Sequence, residues 1–170
     1  MDGKIERLNV DNYRKCSNIW DMERQKNLAI QFYNELLSGN RITFIYVKNN
    51  AYIGEGSIVF DKNDPDYTIK GKRIYFSRLI VKKEYRHQGI GSIIVDFLID
   101  YVKKLGYREI SIGVDMENHP ARNLYAKKGF NQVIYQGTDE QGEYQKLLKT
   151  DGIKAFDQPN PTGLSFPSAD

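Results

Sequence analysis

Arg86-His87-Gln88-Gly89-Ile90-Gly91 follows the apolar, β-branched stretch Leu79-Ile80-Val81 and opens a long amphipathic segment. The order strand, glycine-bearing turn, helix places several unpaired backbone N–H groups at a helix N-terminus. Such an end is an anion site, because its first amides lack intrahelical partners and the macrodipole is positive there. Gly89 and Gly91 remove the Cβ atoms that would hold a ligand's phosphates away from the backbone. Phosphate binding is the first reading of this turn.

The segment after the turn carries Ile90, Ile93, Ile94, Phe97, Leu98, Tyr101, Val102 and Leu105 at spacings of three and four, one broad apolar stripe of a helix. Lys103 and Lys104 suit its negative end and Gly106 stops it. Residues 109–114 then read as a strand, so strand, helix and strand make a βαβ unit with parallel strands and a right-handed crossover. Upstream, residues 5–8 read as a strand, 12–20 and 24–37 as helices, and 41–47 with 51–60 as a hairpin about Lys48-Asn49-Asn50. Downstream, Asn118-His119-Pro120 starts a further helix that ends at Gly129, and residues 130–136 with 143–149 close as a hairpin. The whole is a single α/β domain over residues 1–150. It holds a mixed, mostly antiparallel sheet of six or seven strands with helices on both faces. Residues 151–170 hold three prolines and no periodicity, the pattern of a C-terminal tail.

Composition bounds the function. In 170 residues, 40% hydrophobic and 12% aromatic, a globular domain has an ordinary core. No apolar run reaches the ~20 residues of a membrane span, and the charged N-terminus lacks a secretory apolar region, so a cytoplasmic protein without a membrane partner is expected. Cys16 is the only cysteine, and His87 and His119 the only histidines; neither a disulfide nor a metal site is expected. A net charge of +3 spread along the chain argues against a nucleic-acid binder, which needs a denser basic stripe. A homodimer is compatible with the sequence.

Two phosphate motifs are excluded. A Walker A loop needs Gly-Lys-Ser/Thr, but Ser92 follows Gly91 directly. A dinucleotide fingerprint needs three glycines and an acid near the end of the next strand, and only two glycines are present. What remains is Arg86-x-x-Gly89-x-Gly91, which resembles the R/Q-x-x-G-x-G/A signature of the GNAT family of acyl-CoA-dependent N-acyltransferases. Asn118-x-x-Ala121-x-x-Leu124-Tyr125-x-x-x-Gly129-Phe130 resembles that family's second block. The two lie the expected distance apart with a strand between them, and the resemblance covers residues 41–149.

The resemblance implies acetyl-CoA as acetyl donor, with its pyrophosphate on the amides of Gln88, Gly89, Ile90, Gly91 and Ser92 and with Arg86 and His87 alongside. It implies a pantetheine arm paired like an added strand with the backbone of Leu79, Ile80 and Val81, where an N–H near Val81 polarises the thioester carbonyl. Asn118 and Asn123 are implied contacts to the cofactor. Tyr125 is the implied catalytic acid: the departing thiol has a pKa of ~8.5, taken as that of a cysteine thiol, and a phenol on the sulfur supplies the proton. A base is less determined. Glu55, Asp115 and Glu117 are candidates, and Tyr75, Phe76, Ser77 and Arg78 supply no carboxylate before the turn; Glu55 is taken as the catalytic partner of Tyr125. For the acceptor, a small-molecule or peptide amine, the resemblance points to Trp20, Met22, Phe32, Tyr33, Tyr46 and Tyr52, with acids that suit a cation. The implied activity is acetyl transfer to a primary amine by direct attack in a ternary complex. The rivals are a non-catalytic acyl-CoA sensor on the same fold and a protein that uses the turn for a nucleotide or RNA.

Overall fold

In the computed structural model, which describes residues 3–150, seven strands alternate with three α-helices and two 3-10 helices. The tail expected at 151–170 lies outside the described residues. The strands are β1 (Lys4–Arg7), β2 (Arg41–Lys48), β3 (Ala51–Val59), β4 (Arg73–Val81), β5 (Glu109–Asp115), β6 (Gln132–Asp139) and β7 (Gly142–Lys149). Helix α1 spans Lys26–Ser38, α2 Ile90–Lys104 and α3 His119–Lys127, and the 3-10 helices span Val10–Asn18 and Lys83–Tyr85. The sheet runs β1-β2-β3-β4-β5-β7-β6. Among the described residues β4 and β5 are parallel and every other neighbouring pair is antiparallel. This is the mixed sheet expected, at seven strands.

Helices cover both faces. On one face α2 and α3 bury Ile94, Leu98, Val102 and Tyr125 against Phe44, Ile58, Ile74, Phe76 and Ile112. On the other, α1 and the first 3-10 helix bury Cys16, Ile19, Trp20, Ala29 and Phe32 against Ile45, Val47 and Tyr52. Strands β2 and β3 are buried on both sides, which explains the near-continuous apolar run of β2. The hairpin turn holds Asn49 and Asn50 at φ 52° and 64°, the left-handed pair a two-residue hairpin requires.

Two expectations shift. Residues 12–20 read as an α-helix, but this segment is the tighter 3-10 helix. Asn9 caps it by accepting the Asp11 amide at 2.9 Å, and its run of Val, Asp, Asn, Cys and Ser has poor α-helix propensity. On α2, Ile93 and Leu105 are exposed rather than part of the buried stripe, while Phe97 and Tyr101 each meet Phe44 edge-on with ring centres 4.8 Å apart.

Helix α2 lies close to β3 because β3 presents Gly54 and Gly56 to it. A Cβ at Gly56 would stand 2.6 Å from Ile94 Cγ2 and 2.8 Å from Leu98 Cδ1. Gly56→Ala is therefore expected to lower unfolding free energy by about 1–3 kcal/mol through overpacking, read by urea denaturation. An unchanged midpoint would contradict this close approach.

Candidate active site

Strands β4 and β5 pair from Arg73↔Glu109 through Phe76↔Ile112 and then part. The next residue is where β4 bulges against β3: Ile58 faces Phe76 but Ser57 faces Arg78, so Ser77 is extra. A bulge bends its strand and sharpens the local twist, which swings β4 away from β5. Beyond it, the Lys82 amide donates to the Ile53 carbonyl at 2.8 Å. Backbone groups alternate in direction along a strand, so the amides of Leu79 and Val81 turn toward the side that β5 has left. Ile80, between them, points its amide at β3.

The turn after β4 is built from left-handed residues. His87 has φ 63° and Gly89, the N-cap of α2, has φ 85°. No side chain caps α2, so the amides of Ile90, Gly91 and Ser92 lack helix partners at an end where the helix dipole favours an anion. A Cβ at Gly89 would meet nothing within 4 Å, whereas one at Gly91 would be in ordinary contact with Leu124 at 3.6 Å. Gly89 is thus fixed by its backbone angle and faces open space. Arg86, His87 and Gln88 are exposed, and Arg86 Nε donates to the Val81 carbonyl at 2.9 Å, bracing the turn against the strand end.

Tyr125 lies on the α2 side of the sheet, 6% exposed, with its ring edge-on to Phe130 at 5.9 Å. Burial first, and the nearby Tyr75 second, push its phenol above the usual tyrosine range, so it remains protonated. Asn118 caps α3 by accepting the Ala121 amide at 3.2 Å. Asn123, on the same helix, is exposed.

Glu55 stands on the opposite, α1 face, in register with Ile80. It is 4% exposed. Its Oε1 accepts from Trp20 Nε1 at 3.2 Å, and its Oε2 lies 3.7 Å from Arg78 Nε. The Cys16 thiol, itself buried, is a further hydrogen-bond partner. Burial outweighs the attraction within the Glu55–Arg78 pair: the carboxyl is pushed up and the guanidinium down. Asp115 and Glu117, the other carboxylates considered, are exposed.

Beside this cluster runs a second polar tie that sequence reasoning missed. Arg41 Nε donates to Glu35 at 2.8 Å and its Nη2 to the Ser77 hydroxyl at 2.6 Å, with the guanidinium 3.8 Å above the Phe32 ring. It connects α1, through β2, to the extra residue of the bulge. The visible signal on β3 was a polar pair, Glu55 and Ser57, alternating with Gly54 and Gly56 inside an apolar strand. That pattern puts a charge on a covered face.

Two cavities lie on this face. The larger, about 1050 Å³, is lined by Tyr13, Trp20, Asp21, Met22 and Tyr33 and reaches Arg86 of the turn. The smaller, about 370 Å³, adjoins the parting of β4 and β5 and is lined by Tyr67, Tyr75, Gly113, Asp115, Asp139 and Lys146. Of the aromatic acceptor candidates, Trp20 and Tyr33 line the larger cavity with Met22. Phe32, Tyr46 and Tyr52 are buried in the two cores and line neither.

Comparison with known proteins fits this geometry. N-alpha-acetyltransferase 30 of Schizosaccharomyces pombe is 31% identical over 90 residues, covering 52% of this chain and 56% of the relative. Its counterpart from Saccharomyces cerevisiae is 29% identical over 146 residues, covering 82% of each. Among solved structures, aminoglycoside 6'-acetyltransferase type Ii superposes with a TM-score of 0.71 at 18% identity, covering 93% of this chain and 99% of that one. A chain of the NatC complex bound to Gag peptide and CoA superposes at 0.65 with 21% identity, covering 88% and 99%. At that identity the structural likenesses bear on the fold alone. Residues 5–130 match the model of the acetyltransferase (GNAT) family. That match spans well over half the chain, and the chain belongs to this family.

Proposed function

We propose that the protein transfers the acetyl group of acetyl-CoA to a primary amine by direct attack in a ternary complex, the amine being the α-amine of a peptide. The observation that carries the donor half is the pair of outward amides, Leu79 and Val81, ending at an uncapped helix N-terminus. The strand fits a pantetheine arm, which carries amides of its own, and the helix end fits a pyrophosphate. Open space at Gly89 leaves room for the anion. Arg86, His87, Gln88, Gly89, Ile90, Gly91 and Ser92 supply charge and amides there. In this reading Asn118 holds the start of α3 next to the cofactor, and Asn123 is an outlying contact.

In the reaction the acceptor nitrogen forms a bond to the thioester carbonyl carbon, the carbon–sulfur bond breaks, and the nitrogen gives up a proton to solvent, from which Tyr125 is reprotonated. The amide of Val81 or Leu79 is aimed at the carbonyl oxygen as negative charge builds on it. Tyr125 offers its phenolic proton to the departing sulfur. The acceptor class follows from the state of Glu55. A lysine-type amine, pKa ~10.4, is neutral in only roughly a few parts per thousand at pH 8, whereas an α-amine, pKa ~7.7–8.0, is about half neutral. With Glu55 enclosed by Trp20, Arg78 and Cys16, an amine that deprotonates unaided is the better fit. The names of the two yeast relatives point the same way.

The deciding experiment measures CoA-thiol release with free-amine heptapeptides, the same peptides Nα-blocked but containing lysine, spermidine and kanamycin. Turnover is expected with the free-amine peptides. Turnover restricted to lysine, polyamine or aminoglycoside would overturn the acceptor assignment, and none at all would leave a sensor. Acetyl-CoA at 100 times its dissociation constant is expected to stabilise the fold by about 2.7 kcal/mol. Gly89→Glu, which sets a carboxylate at that helix end, is expected to abolish that shift; a persisting shift would move the donor site elsewhere.

Tyr125→Phe is expected to lower kcat on the order of 10²-fold with acetyl-CoA affinity unchanged; equal turnover would leave Tyr125 a packing residue. Because the Tyr125 pKa is raised, its active protonated form persists as pH rises. The rate is expected to climb with acceptor deprotonation at ~8 and not to fall before about pH 10. A descending limb near pH 8 that vanishes in Tyr125→Phe would contradict this.

A further inference from the structure

We propose that Glu55 is a positioning residue whose buried carboxylate fixes the Trp20 indole as the inner wall of the acceptor cavity and couples it to Arg78 on the donor strand. The inference rests on the acetyl-transfer reading above. Both carboxylate oxygens are engaged: Oε1 by the indole N–H at 3.2 Å and Oε2 with Arg78 Nε at 3.7 Å. The Cys16 thiol, 1% exposed, closes a third side. The carboxylate is 4% exposed, held by one hydrogen bond from the indole and by an ion pair with Arg78 that is too long for a hydrogen bond.

Trp20 stands between two demands. Its indole borders the 1050 Å³ cavity, while the Arg78 guanidinium lies over its ring at 4.4 Å and Phe32 meets it edge-on at 6.2 Å. Arg78 follows the extra residue of the bulge and immediately precedes Leu79, whose amide faces the cleft. One anion thus holds an aromatic wall on the acceptor side and the first residue of the freed strand on the donor side. The cavity draws its lining from the first 3-10 helix, α1 and the residues after β4, with none from β5, α2 or α3. No residue of β4 lines it, and an amine there approaches the donor strand through the residues that follow it, Lys82, Lys83, Glu84 and Arg86, on the face opposite Tyr125. The occupant that fits is an uncapped peptide end, with its first side chain on the Trp20 indole and its amine near Asp21 and Glu23; Arg14, Lys26, Lys82, Lys83 and Arg86 line the same wall and favour the neutral form of that amine.

Trp20 is the only tryptophan in the chain, so its fluorescence reports this wall without an assay of turnover. The test uses the heptapeptide that the wild-type protein acetylates fastest, titrated against wild type, Glu55→Gln and Trp20→Phe. Glu55→Gln retains an acceptor for the indole N–H but loses the charge on Arg78. The expected result is a peptide-dependent change in wild-type fluorescence, and in Glu55→Gln a peptide KM raised about tenfold with kcat lowered no more than about threefold, the KM-dominated signature of lost binding. Trp20→Phe is expected to raise KM similarly, and the double variant no further than the larger single effect, because the two act as one unit. The ascending pH limb should stay in place in Glu55→Gln.

A fall in kcat on the order of 10²-fold with that limb lost would instead make Glu55 a general base and overturn the proposal. So would an unchanged KM in Glu55→Gln. If Glu55→Gln does not fold, Trp20→Phe decides alone, and an unchanged KM there overturns the proposal. Wild-type protein that acetylates none of the peptides refutes the peptide acceptor itself. Wild-type turnover with a silent Trp20 refutes only the positioning role.

Discussion

The parting of β4 from β5 after Phe76↔Ile112 is the constraint on which the rest of the candidate site depends. A parallel pair that continued would satisfy every amide of β4 and leave nothing for a cofactor to bond. Instead the bulge at Ser77 bends β4 where pairing with β5 ends. The amides of Leu79 and Val81 then face a gap rather than a neighbour. Leu79 and Val81 are half-buried, and free strand amides of this kind suit a partner that itself behaves as a strand.

Three local arrangements hold that geometry. Helix α2 lies tight on Gly54 and Gly56 of β3, which carries its uncapped N-terminus close to the end of β4. Arg86 braces the turn against the Val81 carbonyl. On the far face, Glu35–Arg41–Ser77 and Trp20–Glu55–Arg78 each anchor a residue of the bulge to the helical layer that lines the larger cavity. The freed end of β4 and the wall of the larger cavity are parts of one packed unit. Buried ion pairs of this kind add little net stability, and their value here is that they fix a geometry.

Much of this was legible in the sequence. The turn at residues 86–91 and the block from Asn118 to Phe130 are local patterns, and each encodes a helix start with its own chemistry. Period and caps therefore located β4, α2, β5 and α3 closely. The bulge at Ser77 was not legible, because a bulge is a mismatch of register between two strands and leaves no trace in either alone. Aromatic identity could not separate Tyr33 and the buried Trp20, which also line a cavity, from Phe32, Tyr46 and Tyr52, which are core alone. Which face a ring takes is decided by neighbours far away in sequence. Glu55 could be named but not its state, since its enclosure comes from Trp20 and Cys16, both far upstream in the chain.

The central claim, that the free edge of β4 is where the donor is held, is tested most directly by amide hydrogen exchange with and without CoA, resolved residue by residue. The amides of Leu79 and Val81 should gain strong protection, together with those of Ile90, Gly91 and Ser92, while Ile80, already turned to β3, should change little. Protection gained elsewhere, or gained equally by all three consecutive strand residues, would contradict a cofactor paired along that edge.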